Sequence, residues 1–220
     1  MSAPHSRANP SPRYRELVAL YRDMHIKGEE ARNLAPEDTY PGQNLMPHVG
    51  TLHDLIRRLG CRTVLDYGAG KGLQYEKVRA QMPDGRELSI QELWSVDAIS
   101  CYDAAYPPFT DLPDGTFDAV ISTDVLEHCP EEDVPWIIEE MFSYANKLLF
   151  AVVACYPAMA TLPNGENAHC TVHGPDWWQP IVEAAAAKNP AVRYRIELQI
   201  LRPDETDASK QAPHILTNIG

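Results

Sequence analysis

Thr63-Val64-Leu65-Asp66-Tyr67-Gly68-Ala69-Gly70-Lys71-Gly72 is a short apolar strand that runs straight into three alternating glycines. Glycine adopts the backbone conformations of a tight turn and lets a ligand approach the main chain closely. A helix that starts after such a turn offers its first amides as donors. Many nucleotide-binding folds share a loop of this kind, so its details decide. A dinucleotide fingerprint reserves a third glycine where this chain has Leu73, and a P-loop ends Gly-Lys-Ser/Thr where this chain has Gly70-Lys71-Gly72. Asp66, two residues before the first glycine, would repel a pyrophosphate. It suits a ligand that presents an ammonium group.

Downstream, Leu73 to Gln81 reads as helix and Met82-Pro83-Asp84-Gly85 as a turn. A second strand is expected within Ser95 to Asp103, and Asp114-Gly115 turns the chain into the run Phe117 to Ser122, a buried parallel strand by its composition. Val134, Ile137, Ile138, Met141 and Ala145 mark a helix with Pro135 in its first turn, and Lys147 to Cys155 is another buried strand. A long loop, Tyr156 to Pro175, leads to a helix from Trp178 to Lys188. From Val192 to Ile200 apolar residues alternate with Arg193, Arg195, Glu197 and Gln199, which predicts a strand with one wet face near a sheet edge.

Upstream, Tyr14, Leu17, Val18, Tyr21 and Met24 form one stripe of a helix over 12–27. A polar connector, Gly28 to Gln43, precedes a helix from Leu45 to Leu59 that Gly60 stops. The opening MSAPHSRANPSP reads as a disordered leader. Residues 1–44 are therefore expected to be leader and helical cap, 45–202 the ligand-binding domain, and 203–220 a loose polar tail. Strands alternating with helices predict an α/β fold with a doubly wound, mostly parallel sheet and the ligand at the carboxyl ends of its strands.

The string VLDYGAGKG, residues 64–72, resembles the first motif of the class I S-adenosylmethionine-dependent methyltransferases. FDAVISTDVLEH, residues 117–128, is similar to that family's fourth strand and the segment after it. The resemblance spans roughly residues 45–200 and implies a Rossmann-like methyltransferase sheet, with S-adenosylmethionine as cofactor and a small molecule as methyl acceptor. It implies cofactor contacts from Asp66, Gly68, Ala69, Gly70 and Gly72, and from Thr123, Asp124 and Val125 beside the methionine moiety. A ribose-binding acid is expected at the end of the second strand. Asp97 has the more usual offset; Asp103 is preferred because it follows a longer apolar-leaning stretch, as a strand-end acid should. Only Ala104 to Gly115 separates Asp103 from the next strand, so the family's third strand is expected to be reduced or missing. The N-terminal segment is expected to close over the cofactor as a lid, with Tyr40 and His48 contributing contacts.

Methyl transfer is an in-line displacement whose leaving group is already good, so alignment and water exclusion dominate. A positioned base helps a hydroxyl or amine acceptor by about 10²–10⁴-fold. His128 is the first catalytic candidate, with His169 and His173 in the long loop beside it, and Glu127, Trp177 and Trp178 as candidate substrate contacts. Two histidines four apart, with His128 or a carboxylate, have the makings of a zinc site on a helix. Gly174-Pro175 argues against a helix there, and no metal is expected. The alternatives to methyl transfer are a non-catalytic protein that binds the same cofactor and another transferase that uses it.

With 31 acidic against 19 basic residues the net charge is −12, which disfavours nucleic acid and anionic membranes as partners. The five cysteines are scattered and never in a CxxC pair, the pattern of reduced, buried thiols. No apolar run approaches the roughly 18 residues needed to cross a bilayer, so a cytoplasmic protein is expected. The wet edge of the last strand is one place where a homodimer could pair.

Overall fold

The computed structural model describes residues 4–201 and 211–220. The first helix, α1 (Pro12–Lys27), follows the sequence expectation. Ser11 caps it by accepting from the Tyr14 amide, Pro12 opens it, and Gly28 at φ 87° ends it. A 3₁₀ turn, Gln43–His48, leads into α2 (Val49–Leu59), which Gly60 stops in the left-handed conformation. The strand β1 (Thr63–Tyr67) and the glycine loop follow.

Helix α3 (Leu73–Lys77) is shorter than expected. The chain turns extended at Val78 because Ala80 and Gln81 pair, as β2 (Ala80–Gln81), with β3 (Glu87–Leu88) across the predicted turn. A capping box of Ser89 and Glu92 then starts α4 (Ile90–Trp94), an element without a clear periodic signal. The remaining elements are β4 (Ala98–Tyr102), β5 (Phe117–Thr123), α5 (Val134–Tyr144), β6 (Ala145–Ala154), α6 (Pro175–Lys188), β7 (Arg193–Gln199) and β8 (His214–Thr217).

Six strands form one sheet in the order β4-β1-β5-β6-β7-β8, parallel except for β8. Strand alternation divides the core. Val64, Ala119, Ile121, Leu148, Phe150 and Val152 face α2 and α4, whose Leu52, Ile56, Ile90 and Trp94 are buried against them. Leu65, Val120, Leu149, Ala151 and Val153 face α5 and α6. Helices on both faces make the sheet doubly wound. Between β4 and β5 the chain forms a loop with one helical turn, Pro107–Phe109, and no strand pairs outside β4 among the described residues. No helix among them is long and apolar enough to cross a membrane, and all five cysteines are free.

Two expectations about the termini give way. The leader is anchored to the core through Arg7 and the buried Ser11, while Pro4, Ala8 and Asn9 stay exposed. Arg7 forms an ion pair with Glu140 through two nitrogens and donates to the hydroxyls of Tyr102 (2.7 Å) and Tyr67 (2.6 Å). Its guanidinium lies over the rings of Tyr102 and Trp136. The other end, expected to be loose, supplies β8, which pairs antiparallel with β7 from Arg195↔Thr217 to Leu198↔His214. That pairing occupies the edge expected to be open to a second copy. Residue 202, the last of the expected domain, and the tail from 203 to 210 lie outside the described residues.

Candidate functional site

The chain passes from β1 to β4 on one side and returns to β5 on the other, so a crevice opens at the carboxyl ends of β1 and β5. A cleft of about 530 Å³ lies there, within the size range of small-molecule sites. A smaller cavity of about 130 Å³ adjoins it beneath α1. Tyr40, Gly68, Gly70, Asp124 and His128 line both.

Every amide of the glycine loop is already satisfied within the protein. Gly68 and Ala69 donate to the Tyr102 carbonyl (2.7 and 3.0 Å), Gly70 to Asp103 Oδ2 (2.9 Å) and Lys71 to the Tyr40 carbonyl (2.9 Å). Gly72 donates to the Ala69 carbonyl (3.1 Å) and Leu73 to the Pro41 carbonyl (3.1 Å). The loop therefore does not offer the free amides expected of it, and it forms no nest for a phosphate. Its glycines serve close packing. A side chain on Gly68 would enter Val125, and one on Gly70 would enter the Tyr40 carbonyl oxygen. The space beside Gly72 faces Cys101 and Phe109 rather than either cavity.

Asp66 sits at the cleft floor, 2% exposed. Its Oδ2 accepts from the Tyr75 hydroxyl (2.7 Å) and from Gln74 Nε2 (3.1 Å). Burial raises its pKa to about 7, against the pull of the Tyr75 bond. Gln74 also lines the cleft, and its buried Oε1 has no partner among the described residues.

The register Tyr67↔Tyr102 places Asp103 directly beyond the carboxyl end of β4, beside the glycine loop. Its oxygens accept from the amides of Gly70, Ala105 and Tyr106. Three of roughly four acceptor positions are thus taken. Burial raises its pKa, and those three amides hold the rise back. Asp97 stands at the opposite end of β4, exposed and ion-paired with Arg62, away from the cleft.

At the end of β5, Thr123 lines the cleft, Asp124 both cavities and Val125 the inner one. Asp124 holds a left-handed backbone, φ 55°, and accepts from Asn44 Nδ2 (2.6 Å). Tyr40, across the cleft, is also left-handed at φ 50°. Such strain in non-glycine residues costs of order 1–3 kcal/mol and gathers at functional sites. Burial lifts Asp124 to about 6. Glu127 is fully buried and structural in part: its Oε1 accepts from the Ala154 amide (2.9 Å) and its carbonyl from Cys170 and Thr171. Burial, then the nearby Asp124 charge, keeps its carboxyl protonated well above the ordinary range. His128 and His169 line the cleft with ring centroids 4.8 Å apart, and burial lowers both, His128 to about 4.

Helix α1 is the roof. Its stripe Tyr14, Leu17, Val18, Tyr21 lines the inner cavity, and Tyr14 also packs against the main core. His25 on the same helix is neutral, its pKa pushed down to about 3 by burial and by Lys71, whose Nζ lies 3.1 Å from its Nδ1.

Besides Asp97, four expected site residues lie elsewhere. His173 stacks on Trp177 at 4.6 Å and pairs with Glu131 outside the cleft. Trp178 is fully buried between α6 and α5, where truncation to alanine would cost about 3–5 kcal/mol, so it is a core residue. Trp177 is partly buried against the same core. His48 pairs with Glu197 at 3.3 Å, behind Asp124. The sequence reading missed Gln74, Tyr75, Asn44, Tyr21 and His25, all recruited by tertiary contact. Only Tyr21 had a signal, as a polar-tipped member of the α1 stripe. A scan against models of known protein families finds no match, and a search of curated proteins finds none either.

Proposed function

We propose that this chain transfers the methyl group of S-adenosylmethionine to a small-molecule acceptor by in-line displacement. The observation that carries the reading is the buried Asp66 carboxylate at the cleft floor beside a glycine turn with no amide left to give. A diphosphate finds no donors there and meets a carboxylate. An ammonium group, with three donors, finds two acceptors: Asp66 and the unpartnered Oε1 of Gln74. The cleft is acidic as a whole. Glu29, Asp38, Asp66 and Asp124 line it against Arg32, which favours a cationic ligand. When bound, the cofactor would supply an activated methyl carbon on a sulfonium.

The chain's own residues then do three things. Asp66 and Gln74 hold the amino-acid end. Asp103 offers its remaining acceptor position at the end of β4. Tyr14, Leu17, Val18 and Tyr21 exclude water from the inner side of the cleft. His128 is unprotonated at neutral pH, so it accepts a hydrogen bond from the acceptor and aligns it, being too weak a base to remove a proton efficiently.

Incubation with methyl-labelled S-adenosylmethionine and a panel of small alcohols, amines and carboxylic acids tests this. Label should move to at least one acceptor class, and His128→Ala should lower kcat about 10²-fold through lost alignment, with cofactor affinity unchanged. Cofactor binding with transfer to no acceptor would instead mark a non-catalytic binding protein.

A further inference from the structure

At the carboxyl end of β5, Glu127, His128 and His169 each bring one ligand atom within 4.8 Å of the other two. Both rings are oriented from behind by backbone carbonyls. His128 Nδ1 lies 2.9 Å from the Ala168 carbonyl, and His169 Nδ1 lies 2.6 Å from the Tyr156 carbonyl. A carbonyl can only accept, so each Nδ1 carries the proton and each Nε2 keeps its lone pair. Tyr21 agrees with this assignment: its hydroxyl donates to the same Ala168 carbonyl and accepts from His128 Nδ1. An imidazole held by an Nδ1–H···O=C bond is the usual outer support of a metal-binding histidine.

The third member carries the independent observation. Glu127 Oε1 is held by the Ala154 amide, while Oε2 is fully buried with no hydrogen-bond partner among the described residues. Protonating the carboxyl does not resolve this, because the new O–H would be an unpaired donor in the same place.

We propose that Glu127, His128 and His169 form a binding site for a divalent transition-metal ion of the zinc class, open on the cleft side. Two imidazoles and a carboxylate are the ligand set of zinc sites that keep a free position, and the mixed N/O set also admits Co²⁺, Mn²⁺ and Fe²⁺. Ligands about 2.1 Å from a tetrahedral ion lie ~3.4 Å apart, so the widest pair, within 4.8 Å here, closes by up to about 1.4 Å on binding. His128 and His169 line the cleft, so the free position faces the acceptor space. If the methyl-transfer reading holds, the bound ion replaces the His128 Nε2 hydrogen bond in holding the acceptor, and its free position selects an acceptor with a hydroxyl or carboxylate oxygen. The metal site does not depend on that reading.

The sequence pointed away from a metal because it paired His169 with His173. The fold instead pairs His169 with His128, 41 positions earlier, and sends His173 to Glu131.

Titration of untagged, metal-stripped protein with Co²⁺ alone tests the site. One ion per chain with a visible d–d absorption band is expected, displaced by Zn²⁺. His169→Ala and Glu127→Gln should each weaken Co²⁺ at least about tenfold, while His173→Ala should not change it. Glu127→Gln keeps the acceptor for the Ala154 amide; should that variant unfold, His169→Ala decides. Equal Co²⁺ affinity in the wild type and His169→Ala, or no binding by the wild type, overturns the site. Titrating the same samples with S-adenosylmethionine separates the two claims. Cofactor binding without Co²⁺ binding overturns the metal site alone, and the reverse overturns the methyltransferase reading alone.

Discussion

Asp66→Asn should make the ligand-free protein more stable relative to wild type at pH 8 than at pH 5, by about 3 kcal/mol. The Asp66 carboxyl has an ordinary value of 3.8 and rises to about 7 in the fold, chiefly through burial. Between those values the folded state holds a proton that the unfolded chain has released. The contribution of Asp66 is therefore fully present below pH 3.8 and is lost as pH rises through about 7. Asparagine carries no charge and has no such loss. Its amide can also donate to the unpartnered Gln74 Oε1. For a domain of this size the gap corresponds to roughly 6–12 °C in melting temperature. Urea unfolding of both proteins at pH 5 and pH 8 checks it. A difference that does not grow with pH would show that Asp66 is not held charged against its burial. A charge kept at that cost in stability is the mark of a ligand-binding group.

Arg7→Ala should cost about 2–4 kcal/mol and loosen the roof over the inner cavity. The substitution removes both nitrogens from Glu140, which is 15% exposed, and leaves it beside the hydroxyls of Tyr67 and Tyr102 without its counter-charge. Arg7 is itself a third exposed, so the lower part of the usual range for breaking a buried pair applies. The segment that carries it leads straight into α1 through Ser11, whose amide donates to Asp133 Oδ1 (3.0 Å). Hydrogen exchange should therefore show faster opening of α1, and Arg7→Lys should restore less than half of the lost stability, since lysine lacks the planar fork. Stability within about 0.5 kcal/mol of wild type would mean that the leader does not anchor the roof.

What the sequence made legible follows from range. The glycine loop, β1 and the β5 segment announce themselves because their signals are local: apolar runs, glycine spacing, turn residues. The bounds of α1 could be read because serine, proline and glycine punctuate it. Asp103 could be preferred over Asp97 because a strand-end acid must follow its strand, and the register bears out that position. What stayed hidden depends on contacts between distant segments. Arg7 meets Glu140 across 133 positions, Tyr21 meets His128 across 107 and Asn44 meets Asp124 across 80. No periodicity encodes such pairs. Strand β8 has four residues and one buried side chain, Leu216, too little for an alternation to show. Trp178 was misjudged although a signal existed: Trp178, Val182 and Ala185 share one face of α6, which is a core stripe.

On the proposed reading, the carboxylate beside the glycine turn receives an ammonium-bearing nucleoside. Isothermal calorimetry with S-adenosylmethionine at pH 6 and pH 8 distinguishes this from its alternatives. Because Asp66 must be ionised to bind, and its pKa is about 7, affinity should be about tenfold weaker at pH 6 than at pH 8. Binding should be one site per chain and absent in Asp66→Asn. No heat from the wild type at either pH, or equal affinity in wild type and Asp66→Asn, would mean that Asp66 does not receive the cofactor.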